Sequence, residues 1–277
     1  MKFKTRMYVL DLGRMHMDRN FLVAQSVVAT RTQPSRPAEF IEFPVSAYYL
    51  AHEDGGILFD AGCNPAAMGP EGRWPQQFQE LFPWNGGEEC QLPNRLAQLG
   101  VGLDDIRWVV LSHMHNDHAG CVEFFRKSQI IVHELELAAA LRSFATREFS
   151  PYIWRDLDAM THAELDWRLV DTDEGDLVLA DGVRVLNLGP GHAHGMLGLH
   201  IALRDYRDVI LASDAIYCAD NYGPPARPSG VVHDSRGFLG TIERIRREAR
   251  AHDAEVWFGH DIAQFATLRK STEGFYE

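Results

Sequence analysis

The 277-residue chain has few cysteines. There are four, Cys63, Cys90, Cys121 and Cys218, and no two form a C-x-x-C pair. This usage speaks against a disulfide scaffold and fits a reducing compartment. No stretch approaches ~18 uncharged apolar residues, so no membrane span is expected. Positive charge is also short: 27 Lys and Arg stand against 39 Asp and Glu, a net charge of −12. An acidic chain lacks the positive field that nucleic acid or an anionic membrane requires, so neither is expected as a partner. The apolar run after Lys2, Lys4 and Arg6 is interrupted at Asp11 and Arg14. It forms no signal-peptide h-region, and a cytoplasmic protein is expected. No G-x-S-x-G elbow occurs and no cysteine has a placed base, which excludes the serine- and thiol-hydrolase readings. Short repeats and low-complexity tracts are missing as well.

What is present is a series of short apolar runs in two groups. Met7–Leu10, Val45–Leu50, Ile57–Asp60 and Trp108–Leu111 read as strands, with Glu53-Asp54-Gly55-Gly56 as a hairpin turn. Leu177–Ala180 and Val183–Leu188 flank Asp181-Gly182, a second hairpin signal. Leu197–Leu203, Asp208–Ala212 and a last strand Glu255–Gly259 follow. Helical patterns cover Asn94–Leu99, Glu134–Ala145 and Thr241–His252. The arginines of the last of these read as a solvated face. Residues 146–168 read as a helical cover, and 15–36 as an irregular stretch that could form a lid. The expected architecture is α/β (α+β): one domain over residues 1–277 with two pseudo-repeated halves, about 1–168 and 169–277. Each half supplies a sheet, and helices lie outside in an αββα sandwich.

The informative segment is Trp108-Val109-Val110-Leu111-Ser112-His113-Met114-His115-Asn116-Asp117-His118-Ala119-Gly120. A strand runs into a loop with three histidines and one aspartate in six residues. At this composition H-x-H-x-D-H arises by chance in roughly one such chain in 500. Alternate residues of an extended loop point the same way, so His113 and His115 can face one ion. After a turn, Asp117 and His118 can face a second. Imidazole and carboxylate suit zinc and similar divalent ions. A two-metal site needs about seven protein ligands and a bridging water, and the loop supplies four. Other strand ends offer His192 in Gly189-Pro190-Gly191-His192, Asp214 in Ala212-Ser213-Asp214, and His260 in Phe258-Gly259-His260. Each alone is weak; four sites at four strand ends strengthen one another.

The ordered set H-x-H-x-D-H, then His, Asp and His, with spacings of 74, 22 and 46 residues, resembles the metallo-β-lactamase superfamily. Within it the chain is similar to the N-acyl-homoserine lactonases, above all their Agrobacterium-type members. The likeness runs through Val9-Leu10-Asp11-Leu12-Gly13, Phe43-Pro44-Val45-Ser46-Ala47-Tyr48, Ile57-Leu58-Phe59-Asp60-Ala61-Gly62-Cys63 and Gly259-His260-Asp261. It also includes Tyr217, three residues after Asp214. The resemblance implies two divalent ions, Zn2+ first among them. His113, His115 and His192 would hold one, Asp117, His118 and His260 the other, and Asp214 would bridge. Tyr217 would stabilise the oxyanion, and Asp117 would carry a proton to the leaving oxygen. The implied activity is opening of the lactone ring of N-acyl-homoserine lactones, the reaction that silences quorum signals. The implied partner is thus a small-molecule lactone, and a homodimer is compatible with it. The same ligands serve γ-butyrolactone and pyridoxolactone hydrolases and, further off, thioester hydrolases; a metal-binding sensor on a hydrolase fold is the non-enzymatic alternative. His194 and His200 fall outside the pattern, Asp60 could brace the ligand loop, and Asp261 reads as structural. Met15, Met17, Phe21, Leu22, Tyr152 and Trp154 are candidates for an apolar acyl groove.

Overall fold

The structure, a computed structural model, describes residues 5–277; Met1 to Lys4, part of the signal-peptide reading, lie outside the described residues. Among the described residues twelve strands form two mixed sheets. β1 (Arg6–Asp18), β2 (Phe40–Ala51), β3 (Gly56–Phe59), β4 (Trp84–Asn85), β5 (Ile106–Val110), β6 (Gln129–His133) and β7 (Asp166–Val170) make the first, in the order β4-β1-β2-β3-β5-β6-β7. β8 (Leu177–Ala180), β9 (Val183–Gly189), β10 (Met196–Ile201), β11 (Val209–Ser213) and β12 (Glu255–Phe258) make the second, in the order β12-β11-β10-β9-β8. The chain changes sheet between Val170 and Leu177.

The period-2 alternation of strand side chains builds the layers. Ile57 and Phe59 of β3, Val110 of β5 and Ile131 of β6 face inward, against Val185, Leu199, Leu211 and Trp257 of the second sheet. Their neighbours Leu58, Val109, Ile130 and Val132 face outward and pack under helices through Leu92, Leu96, Ala140 and Leu157. Ile210 and Ala212 of β11 face out on the other side, against Phe238, Ile242 and Ile245 of the helix Ser235–His252. The result is the expected helix–sheet–sheet–helix sandwich. Burying each such aliphatic side chain contributes about 1.5–3 kcal/mol.

The hairpin turns at residues 52–55 and 181–182 fall where expected, and Gly182 takes a positive φ of 75°. The helices run longer than the expectation at their starts: Leu92–Gln98 and Ser235–His252. Two readings need correction. Met15–Asp18 is not irregular; it continues β1, with Met15 paired to Phe43 and Met17 to Ile41. A register shift between Asp11 and Arg14, where Gly13 has φ 94°, breaks the alternation and conceals the strand in the sequence. Beyond it, Arg19–Leu22 is one helical turn, and residues 23–39 hold no regular element. The supposed helical cover over residues 146–168 contains one helix, Trp154–Thr161, and then enters β7.

Candidate metal centre

The strands deliver their C-terminal ends to one edge of the sandwich. β5 stops at Val110, and the next residues are held by side chains. Ser112 donates its backbone N–H to Asp60 Oδ1 (2.7 Å) and its hydroxyl to Asp60 Oδ2 (2.9 Å). The N–H groups of His118 and Ala119 both return to the His115 carbonyl, which turns the loop. Gly120 then passes so close to the backbone of Gly62–Asn64 that a Cβ would lie 2.4 Å from Asn64 N. On the second sheet, β9 ends at Gly189, whose φ of 68° starts the turn to His192. β11 runs into Asp214, and β12 into Gly259-His260. Gly259 is required there, since a Cβ would meet Asp214 Oδ1 at 2.6 Å.

All seven sequence-predicted side chains, His113, His115, Asp117, His118, His192, Asp214 and His260, are buried and converge. Asp214 lies at the middle. Its Oδ2 faces His192 Nε2 (3.4 Å) and His113 Nε2 (3.8 Å), and its Oδ1 faces His260 Nε2 (3.0 Å) and His118 Nε2 (3.3 Å). Asp117 Oδ2 is 3.5 Å from both His118 Nε2 and His260 Nε2. His115 Nδ1 is 3.0 Å from His192 Nε2. Three subsets bring one donor atom per residue within 4.8 Å of one another: His113, His115 and His192; His113, His118 and Asp214; Asp117, His118 and His260.

The rings are oriented from behind. Nδ1 of His192 donates to the Val231 carbonyl (2.7 Å), Nδ1 of His260 to the Pro44 carbonyl (3.0 Å), and Nδ1 of His118 to Asp60 Oδ2 (2.9 Å). Nδ1 of His113 lies 3.0 Å from the Ser112 hydroxyl. Four rings therefore present Nε2 to the centre and His115 presents Nδ1. Outer partners that fix an imidazole's orientation are the hallmark of metal-ligating histidine.

The centre fits divalent cations by its own chemistry. His113 Nε2, His118 Nε2 and Asp214 Oδ1 are buried and have no hydrogen-bond partner. Leaving such groups unpaired costs a few kcal/mol each, which a cation held between them offsets. Burial, with the neighbouring imidazoles, pushes His113 and His115 well below the usual histidine range, toward the neutral form that ligates. Burial alone would raise Asp214, but His260 and His118 outweigh it and keep the carboxyl ionised.

Tyr217 lies over this centre, its ring centroid 5.0 Å from that of His192 and 5.1 Å from that of His260. Burial, then the Asp214 and Asp117 carboxylates, push its hydroxyl well above the usual range, so it stays protonated and can donate. A cavity of about 220 Å³ opens above Asp117, Asp214, Tyr217 and His260. Its remaining wall is largely apolar: Met15, Met17, Phe21, Phe43, Phe78, Leu81, Phe82 and Phe149. Of the proposed groove residues, Met15, Met17 and Phe21 line it. Leu22, Tyr152 and Trp154 do not. Tyr152 packs edge-on against His115 (5.1 Å), and Trp154 stacks with Arg147 at the surface. Phe43, Phe78, Leu81, Phe82 and Phe149 complete the wall, and no local motif in the sequence marks them for it.

The residues left aside fall elsewhere. Asp60 gathers Ser112, His118 and Ser213 beneath the centre. Asp261 caps the helix Ile262–Thr267. His194 bonds the Tyr152 hydroxyl (3.2 Å) and stacks on His233. His200, Glu248 and His252 form a further His/Glu group, but Arg184 already neutralises it, donating to His200 Nδ1 (2.9 Å) and to Glu248.

The family profile of the metallo-beta-lactamase superfamily matches residues 41–260. The chain is 50% identical over 273 residues to the N-acyl homoserine lactonase AiiB of Agrobacterium fabrum, an alignment covering 98% of this chain and 99% of that protein. It is 29% identical over 266 residues to the N-acyl homoserine lactonase AiiA of Bacillus thuringiensis subsp. kurstaki, covering 95% and 96% of the two chains. A solved N-acyl homoserine lactone hydrolase, with the product N-hexanoyl-L-homoserine bound at its catalytic metal centre, superposes with a TM-score of 0.82 at 28% identity; 99% of this chain and 100% of that chain are covered. The αββα sandwich, the convergent donor set and these alignments agree, and the chain belongs to the metallo-β-lactamase superfamily and, within it, to the N-acyl homoserine lactonase family.

Proposed function

We propose that this protein is a dinuclear metal-dependent hydrolase that opens the lactone ring of N-acyl-homoserine lactones. The observation that carries the reading is the cavity. Its floor is formed by His115, Asp117, Asp214 and His260 of the donor set, and its walls are largely aromatic and aliphatic, which matches a ligand with a polar lactone head and an apolar acyl tail. The activity named for the relatives supports it. His113, His115 and His192 would hold one ion, Asp117, His118 and His260 the second, with Asp214 between them. The nitrogen-rich set with two carboxylates favours Zn2+. Two such ions supply Lewis acidity and a water acidic enough to ionise near neutral pH.

The chain's own groups do the rest. The apolar wall takes the acyl chain out of water and places the lactone over Asp214. Tyr217 donates its hydroxyl to the carbonyl oxygen, and this bond strengthens as water adds to the carbonyl carbon and negative charge develops. Asp117 accepts the proton from the attacking water and hands it to the ring oxygen as the C–O bond breaks. The product is one alcohol and one carboxylic acid, which releases its remaining proton to solvent at neutral pH. The working unit is one domain over residues 1–277. Its acidity and its four free cysteines support a cytoplasmic protein without nucleic-acid or membrane partners. Among the described residues no helix is long and apolar enough to cross a membrane.

The test is a pH-stat assay of butanoyl- and decanoyl-homoserine lactone beside γ-butyrolactone, with metal content measured on the same sample. Hydrolysis of the acyl-homoserine lactones with two equivalents of metal supports the reading. Faster turnover of plain γ-butyrolactone moves the substrate to small lactones, and absence of hydrolysis of all three overturns it.

A further inference from the structure

Behind the loops of His115 and His192 lies a carboxylate that the chemistry above does not use. Glu136, on the helix Glu134–Thr146, is fully buried. Its Oε1 accepts the backbone N–H of Met114 (2.9 Å), and its Oε2 accepts those of His194 (3.0 Å) and Gly195 (3.2 Å). Met114 stands between His113 and His115, and His194 follows His192 by two residues. The two segments come from different sheets, and they present His115 Nδ1 and His192 Nε2 only 3.0 Å apart.

We propose that Glu136 is a positioning residue, a carboxylate clamp that sets the loop of His113 and His115 against the loop of His192. A carboxylate suits this place because both oxygens accept; an amide offers one acceptor and would aim its N–H at a backbone N–H. Tyr152 completes the clamp, with its hydroxyl beside Glu136 and its ring on the edge of His115. Among the described residues no cation pairs with Glu136. Its charge is met by neutral donors, three backbone N–H groups and the Tyr152 hydroxyl, and burial pushes its carboxyl up to about 7. Helix packing by itself calls for no such buried charge, as the apolar neighbours Leu137 and Ala140 show.

The inference rests on the reading that these loops carry metal ligands. The test compares wild type, Glu136→Gln and Glu136→Asp for zinc affinity by chelator competition, the visible spectrum of the Co2+-loaded protein, and kcat and KM on decanoyl-homoserine lactone. Circular dichroism checks folding. Folded Glu136→Gln should lose about 10–100-fold in metal affinity or kcat and shift the Co2+ bands. KM should stay within about threefold, and Glu136→Asp should recover part of the loss. A folded Glu136→Gln with wild-type affinity and spectrum overturns the proposal. If Glu136→Gln does not fold, Glu136→Asp is judged by the same criteria; if neither folds, Glu136 serves the fold and the clamp is rejected. Wild type that binds metal but opens no lactone sinks the proposed activity instead and leaves the affinity and spectral comparison standing.

Discussion

His118 Nδ1 and Asp60 Oδ2 lie 2.9 Å apart, which turns His118 Nε2 toward Asp214. Asp60 itself has a positive φ of 63° and is gripped by Ser112 and Ser213, so one strained residue ties β3, β5 and β11 beneath the centre. Asp60→Asn keeps the size but loses an acceptor. It should lower metal affinity about 10–100-fold in chelator competition. An unchanged affinity would show that the ring is oriented without it.

Asp214 faces four of the five imidazoles, whereas the fifth, His115, lies against the rings of His113, His192 and Tyr152. Asp214→Ala should therefore strip both ions and His115→Ala chiefly one. Elemental analysis of the purified variants reads the difference directly. Full retention in either would break the assignment.

Tyr217 contributes a donor and no ligand atom in the proposed scheme. Tyr217→Phe should keep its metal content and lose kcat by about 10²–10³-fold, the cost of removing one oxyanion donor. Loss of metal with the hydroxyl would make Tyr217 a ligand and not a donor.

Phe149 is 57% exposed, yet it lines the cavity and contacts Phe78 at 5.9 Å between ring centroids. Its removal should leave the core intact. Phe149→Ala should reduce kcat/KM for decanoyl-homoserine lactone by about tenfold, worth ~1.4 kcal/mol of lost apolar contact. The butanoyl substrate should change little. Equal losses on both would place the acyl chain elsewhere.

Asp156, on the helix Trp154–Thr161, is largely but not fully buried and lies beside Arg73 (3.2 Å). Burial, only partly offset by Arg73, raises its carboxyl from 3.8 to about 7. A folded-state value above the unfolded one means stability that is complete below the unfolded value and is lost as pH rises through the folded one. Asparagine does not titrate. The melting temperature of Asp156→Asn minus that of wild type should thus climb from about pH 4 to about pH 7 and then level off. Scanning calorimetry on chelator-treated protein measures it, and a flat difference across that range would contradict the burial argument.

Much of the fold was legible because it is written in local period. Short apolar runs along β3, β5 and β11 mark strands, and the turn at Asp181-Gly182 marks a hairpin. Gln129–His133 and Asp166–Val170 escaped notice. β6 holds only Ile130, Ile131 and Val132 between polar residues and leads straight into a helix, and the edge strand β7 mixes charged and apolar residues and is half exposed, so neither carries a run as clear as β3 or β11. Met15–Asp18 escaped because a bulge shifts the alternation by a residue.

The amino-acid order by itself determined the donor chemistry. Four donors crowd into His113–His118, and the other three sit at strand ends, where a chain must turn and expose a side chain. Only the tertiary structure decided how those donors are aimed. The groups behind them are the Pro44 carbonyl, 216 positions from His260, the Val231 carbonyl, Asp60 and Glu136. A backbone carbonyl has no residue signature, and a buried carboxylate reads in sequence like any exposed one. Packing two sheets face to face is what turns these scattered acceptors into one scaffold.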